Sequence, residues 1–271
     1  MTARAATSAQ SPEPSAPVQV LVLAGARAAG DPLCQAEDVA SKAVIDIAGQ
    51  PMLSRVLRAL GASRANAPPW VLGLEGDALE AAADGIPCHP LASEGRGPAS
   101  SLIRALEGPI STPLLVTTCD HALLTPAMVD SFLAKSIASG ADLCVGFAER
   151  AVIEADYPET RRTYLRLGGA ELSGCNLFYL ASPAALKVIR FWQGAEQDRK
   201  KPWRIAWRFG PLTALRIVLS RAGPDAVFAL LSRQLGARVS PVILEFAEAA
   251  IDVDKPADLV LVREILAARE P

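Results

Sequence analysis

The sequence predicts an α/β protein built on an open sheet, and two observations carry that prediction. Apolar, β-branched runs at 18–23, 70–74, 112–118, 142–147 and 239–246 alternate with segments of helical spacing at 51–60, 99–106 and 127–139. The first run ends in Ala24, Gly25 and Ala26, which carry almost no side chain, so the backbone there can come close to a ligand. Open α/β sheets bind ligands at this place, outside the carboxyl ends of their strands. A chain of 271 residues can bury one large core, or one core plus a small subdomain.

In chain order, residues 1–17 are rich in Ala, Ser and Pro without a continuous apolar core, and read as a disordered leader, not a signal peptide. The core segment 18–184 opens with the strand Val18 to Leu23. The loop beyond it holds Arg27 and Lys42, both suited to polyphosphate oxygens. Ala43 to Ile47 is expected to be a short strand, and Pro51 suits the first turn of the helix that follows. A strand at 70–74, a helix at 77–83 and a strand end at 86–91 come next. The glycine-rich loop 93–98 then runs into the helix 99–106, whose first turn offers backbone donors beside Ser100 and Ser101.

Strand 112–118 leads to Asp120. An unpaired carboxylate is expensive to bury, so Asp120 is expected at the active edge, where Mg²⁺ offsets its charge. After the helix 127–139 and the strand 142–147, residues 149–170 turn polar and include Arg161, Arg162 and Arg166. They are expected to leave the main sheet as two extended pieces, with a basic face that is either solvated surface or a place for an anionic acceptor. Gly174, Cys175 and Asn176 then precede a strand at 177–180.

Residues 185–237 read as a mainly helical insert. Between 187 and 216, eight Lys/Arg face only Glu196 and Asp198, and Trp192, Trp203 and Trp207 lie among them. That mixture suits an anchored phosphate substrate, a peripheral contact with an anionic membrane, or a lid packed by its aromatics. Residues 238–271 return to the core and end in a helix. Asp252 and Asp254 are two apart, so if this segment is extended they point to one side, where one can bind metal while the other shapes the loop or caps the helix. Asp258 is placed to stabilise the terminal helix's first turn.

A net charge of −2 gives no support to nucleic-acid binding. The five cysteines lack paired metal-ligand spacing and read as free thiols of a reducing compartment, hence a cytoplasmic protein. No apolar run is long enough to span a bilayer.

Several stretches in sequence order resemble the signature LAGG…R…K…G.P.L of nucleotidyltransferases: Leu23-Ala24-Gly25-Ala26, Arg27, Lys42 and Gly49-Gln50-Pro51-Met52-Leu53. TTCDHALLTP looks like the family's metal-binding D.P.L element, SGCNLFYL its G.N element, and IDVDKPADL its closing D.DTP.DL. Ala26 replaces the second glycine, Lys255 replaces threonine, and the loop before Lys42 is longer than usual. Over residues 18–180 and 238–268 the chain thus resembles molybdopterin-guanylyltransferase-like and sugar-phosphate nucleotidyltransferases. It lacks both G-x-G-x-x-G and G-x-x-x-x-G-K-[ST], which argues against the commonest dehydrogenases and NTPases.

The resemblance implies a three-layer α/β/α Rossmann-like sandwich and transfer of an NMP group from an NTP, with CTP slightly favoured. The acceptor would be a phosphorylated sugar, polyol or lipid precursor, and pyrophosphate would be released. It implies nucleotide binding by Leu23, Ala24, Gly25, Ala26, Arg27, Lys42, Gly95, Gly97 and Ser101, and catalytic roles for Arg27, Lys42 and Asp120. Asp120 and Asp252 would hold Mg²⁺, with Asp254 the competitor of Asp252, while Asn176, Arg161 and Arg162 would meet the acceptor. The competing expectation is a noncatalytic nucleotide-sensing or membrane-surface protein on the same fold.

Overall fold

The computed structural model describes residues 17–25, 31–93, 97–196 and 223–269. Ala26, Arg27, Gly95 and most of the basic, aromatic segment, including Trp203 and Trp207, lie outside the described residues.

Strand β1 (Gln19–Leu23) sits inside a mixed eight-stranded sheet. It pairs in parallel with β4 (Trp70–Leu72) on one side and β6 (Leu114–Thr118) on the other. Beyond β4 lies β5 (His89–Leu91), also parallel. On the other flank, β9 (Ala170–Leu180) runs antiparallel between β6 and β7 (Leu143–Glu149), and β10 (Val239–Leu244) pairs in parallel with β7. A short strand β8 (Leu165–Leu167) pairs with the start of β9.

Alternation along the strands divides the core between two faces. Val20, Val22 and Leu115 pack on one face with α2 (Met52–Gly61), α3 (Gly76–Ala83) and α5 (Pro126–Ser139). Leu21, Leu114 and Val116 pack on the other with α4 (Pro98–Glu107), α7 (Ala185–Glu196) and α8 (Pro224–Leu235). The result is an α/β/α sandwich. A third cluster joins α1 (Pro32–Ala36), Ile47 of the hairpin β2 (Asp46–Ile47) and β3 (Gln50–Pro51), Leu123, Val253 and α9 (Pro256–Ala267). This cluster brings the segments after Asp120 and around Asp252 together, where Val253 N donates to Asp120 O at 3.0 Å.

From β1 the chain moves outward to β4 and β5, and α4 then carries it back to β6 on the opposite side of β1. The order reverses at the β1/β6 boundary, so the crevice beyond their carboxyl ends is the topological switch point. Gly25 and Asp120 both lie there.

Three local expectations need correction. Residues 42–44 form a 3₁₀ turn, started by Ser41 Oγ accepting from Ala43 N, and only Asp46–Ile47 is strand. The polar stretch after β7 is not two extended pieces: α6 (Arg150–Asp156) forms first, with Ile153 buried and Arg150 paired to Glu154 one turn on. Gly174 to Asn176 belong to β9 itself, and the β7/β9 register slips between Val145 and Phe147. Asn176 lies on β9 opposite that slip at φ +50, a left-handed conformation that asparagine tolerates better than most residues.

Gly73 fixes how closely the ends of β1 and β4 approach. At φ +94, a Cβ there would lie 2.6 Å from Gly25 Cα and 2.9 Å from Gly25 N. Gly73→Ala is expected to destabilise the fold by about 2–4 kcal/mol through backbone strain and overpacking. Urea unfolding would measure this, and a loss below about 1 kcal/mol would show that the two loops can separate freely.

Candidate functional site

At the end of β1, Ala24 N donates to Leu72 O at 2.8 Å and Leu23 O accepts from Cys119 N at 3.0 Å, tying the tip of β1 to β4 and β6. Gly25 is exposed, and a Cβ placed on it would meet nothing within 4 Å. Packing therefore does not account for the glycine.

Asp120 follows β6, and Thr118 Oγ1 donates to its Oδ1 at 2.5 Å. Asp252 and Asp254 come from the segment before α9. One carboxylate oxygen from each of Asp120, Asp252 and Asp254 lies within 4.8 Å of those of the other two. Around this trio, Lys42 Nζ donates to Asp254 Oδ1 and Val253 O, both at 3.0 Å, and lies 3.8 Å from Asp31 Oδ2. Arg162 Nη1 donates to Asp252 Oδ1 and its Nη2 to Asp258 Oδ1 at 3.4 Å. Asn176 Nδ2 donates to Asp252 Oδ2 at 3.2 Å.

Five aspartates thus gather about two cations. Burial pushes the Asp120 carboxyl up to about 6, and the neighbouring Asp252 and Asp254 add to the rise against the opposing effects of Thr118 and Lys42. Burial also raises Asp252, with Asp254 contributing and Arg162 opposing. Lys42 shifts the other way in charge preference: burial works against its ammonium, but the hydrogen bond and charge of Asp254, helped by Asp120 and Asp31, raise its pKa. Excess negative charge, crowded carboxylate oxygens and no soft ligand make a donor set suited to a hard divalent cation.

The structure therefore brings Lys42, Asp120, Asn176, Arg162, Asp252 and Asp254 into one network across the crevice. Arg162 is turned inward, with a side chain 8% exposed and engaged by two carboxylates, whereas Arg161 is exposed. Gly97 precedes the first turn of α4, and Ser101 is buried there with its hydroxyl 3.2 Å from Ser93 Oγ. His121 is buried, and neither ring nitrogen has a partner among the described residues; burial pushes its pKa down to about 4. Asp258 accepts from Lys255 N and Asp254 N, so it caps α9 while meeting Arg162. Two participants were not anticipated. Thr118 carries no distinguishing local pattern, but Asp31 does: it precedes Pro32 and caps α1 by accepting from Leu33 N at 2.9 Å, the Asp-Pro pattern of a helix start.

The model of the MobA-like NTP transferase domain matches residues 20–200, the greater part of the chain. The chain belongs to the MobA-like NTP transferase family. A hypothetical transferase from Thermus thermophilus is 30% identical to this MobA-like chain, covering 89% of it and 99% of its own length, with a TM-score of 0.74. Two more distant structures share the fold at 14% identity. One is a CMP:2-keto-3-deoxy-manno-octonic acid synthetase complexed with CTP, with a TM-score of 0.58 over 94% of this chain and 100% of its own. The other is molybdopterin-guanine dinucleotide biosynthesis protein A from Archaeoglobus fulgidus, with a TM-score of 0.52 over 93% and 100%. No curated protein matches this sequence. Family and fold together support NTP-dependent nucleotidylyl transfer to a small-molecule acceptor. Among the described residues, no helix is long and apolar enough to cross a membrane.

Proposed function

We propose that this MobA-like protein is a Mg²⁺-dependent nucleotidyltransferase that moves an NMP group from an NTP to a phosphorylated sugar, polyol or lipid precursor. One observation carries the proposal: Asp120, Asp252 and Asp254 converge from two segments far apart in sequence at the β1/β6 switch point, beside Lys42. Mg²⁺ held by Asp120 and Asp252, with Asp254 beside them, supplies charge neutralisation and polarisation at the α-phosphate.

The protein's own groups then do the positioning. The bare end of β1 at Ala24 and Gly25 lets phosphates approach backbone, and Lys42, oriented by Asp254 and Val253 O, meets the β- and γ-phosphates together with Arg27. Gly97 and Ser101, at the start of α4, are assigned to the base, and Gly95, outside the described residues, is assigned with them by the family resemblance alone. Asn176 and Arg161 face the acceptor, while Arg162 holds Asp252 in place. A phosphate monoester is already anionic at neutral pH, so no general base is required. Its oxygen forms the new bond to Pα as the bond from Pα to the bridging oxygen breaks, and pyrophosphate leaves with that electron pair.

CTP is the first nucleotide to test, because the basic and aromatic segment 187–216 suits a polyol or lipid-precursor phosphate. Pyrophosphate release would be measured with CTP, UTP, GTP and ATP against sugar, polyol and glycerol phosphates, with and without Mg²⁺. The expected result is Mg²⁺-dependent release for one nucleotide with one acceptor class. Absence of release from every pair, together with no nucleotide binding, would overturn the proposal.

A further inference from the structure

Away from the carboxylate cluster, a cleft of about 310 Å³ opens between α2, the start of α5 and the end of α9. Arg55 and Arg58 reach it from α2 and Arg269 from beyond α9, with Gln50 and Thr125 adding polar groups. Among the described residues that line it, none carries a carboxylate. Two guanidiniums one turn apart on α2 and a third from far along the chain meet at this cleft, and nothing in the proposed transfer reaction uses them.

The existing partners of Arg58 and Arg269 leave each with donors for a ligand. Arg55 Nε donates to Ile47 O at 2.8 Å, which orients its guanidinium on the α2 side. Arg58 spends one N–H on Asp84 at 2.7 Å, and Arg269 one on Glu248 at 2.8 Å. These two arginine side chains are 51% and 40% exposed, and exposed pairs of this kind are weak. A guanidinium has five donors arranged for forked contact with oxyanions, so neither pair exhausts its arginine. Apolar Ala59, Leu123 and Leu266 line the same cleft and lower the local dielectric, which strengthens a charge contact made there.

We propose that this cleft is a second anion site, which binds a compact phosphate-bearing molecule independently of the divalent cation. Its contacts would be charge-assisted hydrogen bonds from Arg58 and Arg269, with Arg55 contributing at the side. Phosphate there could come from pyrophosphate or from a phosphate monoester, and both are tested. The site does not depend on the transferase reading, because binding is measured without turnover.

The test is titration calorimetry of the full chain in EDTA, with pyrophosphate in one arm and glycerol phosphate in the other. The comparison uses wild type, the double variant Arg58→Ala/Arg269→Ala, and Lys42→Met at the carboxylate cluster. Arg55 is left in place because its bond to Ile47 O helps fix the start of α2, and circular dichroism confirms that each variant is folded. The expected result is binding of one molecule per chain in at least one arm, weakened roughly tenfold or more in the double variant and unchanged in Lys42→Met, a tenfold loss being about 1.4 kcal/mol. The stronger arm identifies the source of the phosphate. Equal binding by the double variant, loss of binding in Lys42→Met, or no binding in either arm would overturn the proposal.

Discussion

Asp120→Asn is expected to lower Mg²⁺-dependent pyrophosphate release by about 10²–10³-fold, the scale of losing one preorganised electrostatic contact at developing charge, while the metal-free protein stays as stable as wild type or becomes more so. The two halves of this result have one cause. Burial pushes the Asp120 carboxyl up to about 6, with Asp252 and Asp254 adding to the rise, so the fold without metal gains nothing from its charge. Asparagine keeps the shape, removes the repulsion and retains an oxygen to accept from Thr118 Oγ1. What it removes is the carboxylate proposed to hold the cation. Thermal unfolding separates the roles without any assay of turnover: Mg²⁺ should raise the melting temperature of wild type, since a ligand that binds only the folded state stabilises it, and should barely move that of Asp120→Asn. Equal Mg²⁺ shifts in both proteins would remove Asp120 from the metal site. Normal turnover by the folded variant would reject its catalytic role.

The parts of this site that were legible in the sequence are those with a local cause. The β1 run announces itself by apolar, β-branched composition, and small residues after it mark an edge where backbone is accessible. Asp120 stands out because a carboxylate directly after a buried strand needs a reason, and Asp252 and Asp254 because they flank a buried valine just before a helix start. Along the chain, the arginines at 161, 162 and 166 read as a local basic face and nothing more. The carboxylate partners of Arg162 lie 90 and 96 positions away, a distance at which no periodicity or spacing connects them. The cap of α9 and the ion pair with Arg162 fall on the same side chain, Asp258, and only the first has a signature along the chain. Helix α6 was hidden by its brevity and polar neighbours, and the full length of β9 by the slip opposite Asn176, which interrupts strand alternation.

Arg162→Ala should therefore act through the fold as well as the site, with an expected loss of about 3–5 kcal/mol, the range for removing one partner of a buried ion pair. The Arg162 side chain is 8% exposed and that of Asp258 6%, so neither has water in reserve, and Asp252 would lose the cation that opposes its burial. The guanidinium also donates to Asp252 O from both Nη atoms, so it clips the stretch between α6 and β8 onto the backbone of the acidic segment. Urea unfolding should show a lower midpoint at nearly constant slope, as expected when stability changes but the surface exposed does not. Pairing Arg162→Ala with Asp258→Asn should cost less than the two single losses together, because the orphaned charge is removed with its partner. Arg162→Lys keeps a charge but not the fork, so it should fold better than Arg162→Ala, yet need more Mg²⁺ than wild type to reach half of its thermal shift, since Asp252 is then loosely held. A loss below about 1 kcal/mol in Arg162→Ala, with an unchanged Mg²⁺ midpoint in Arg162→Lys, would mean that Asp252 is positioned by the backbone and Asn176 alone.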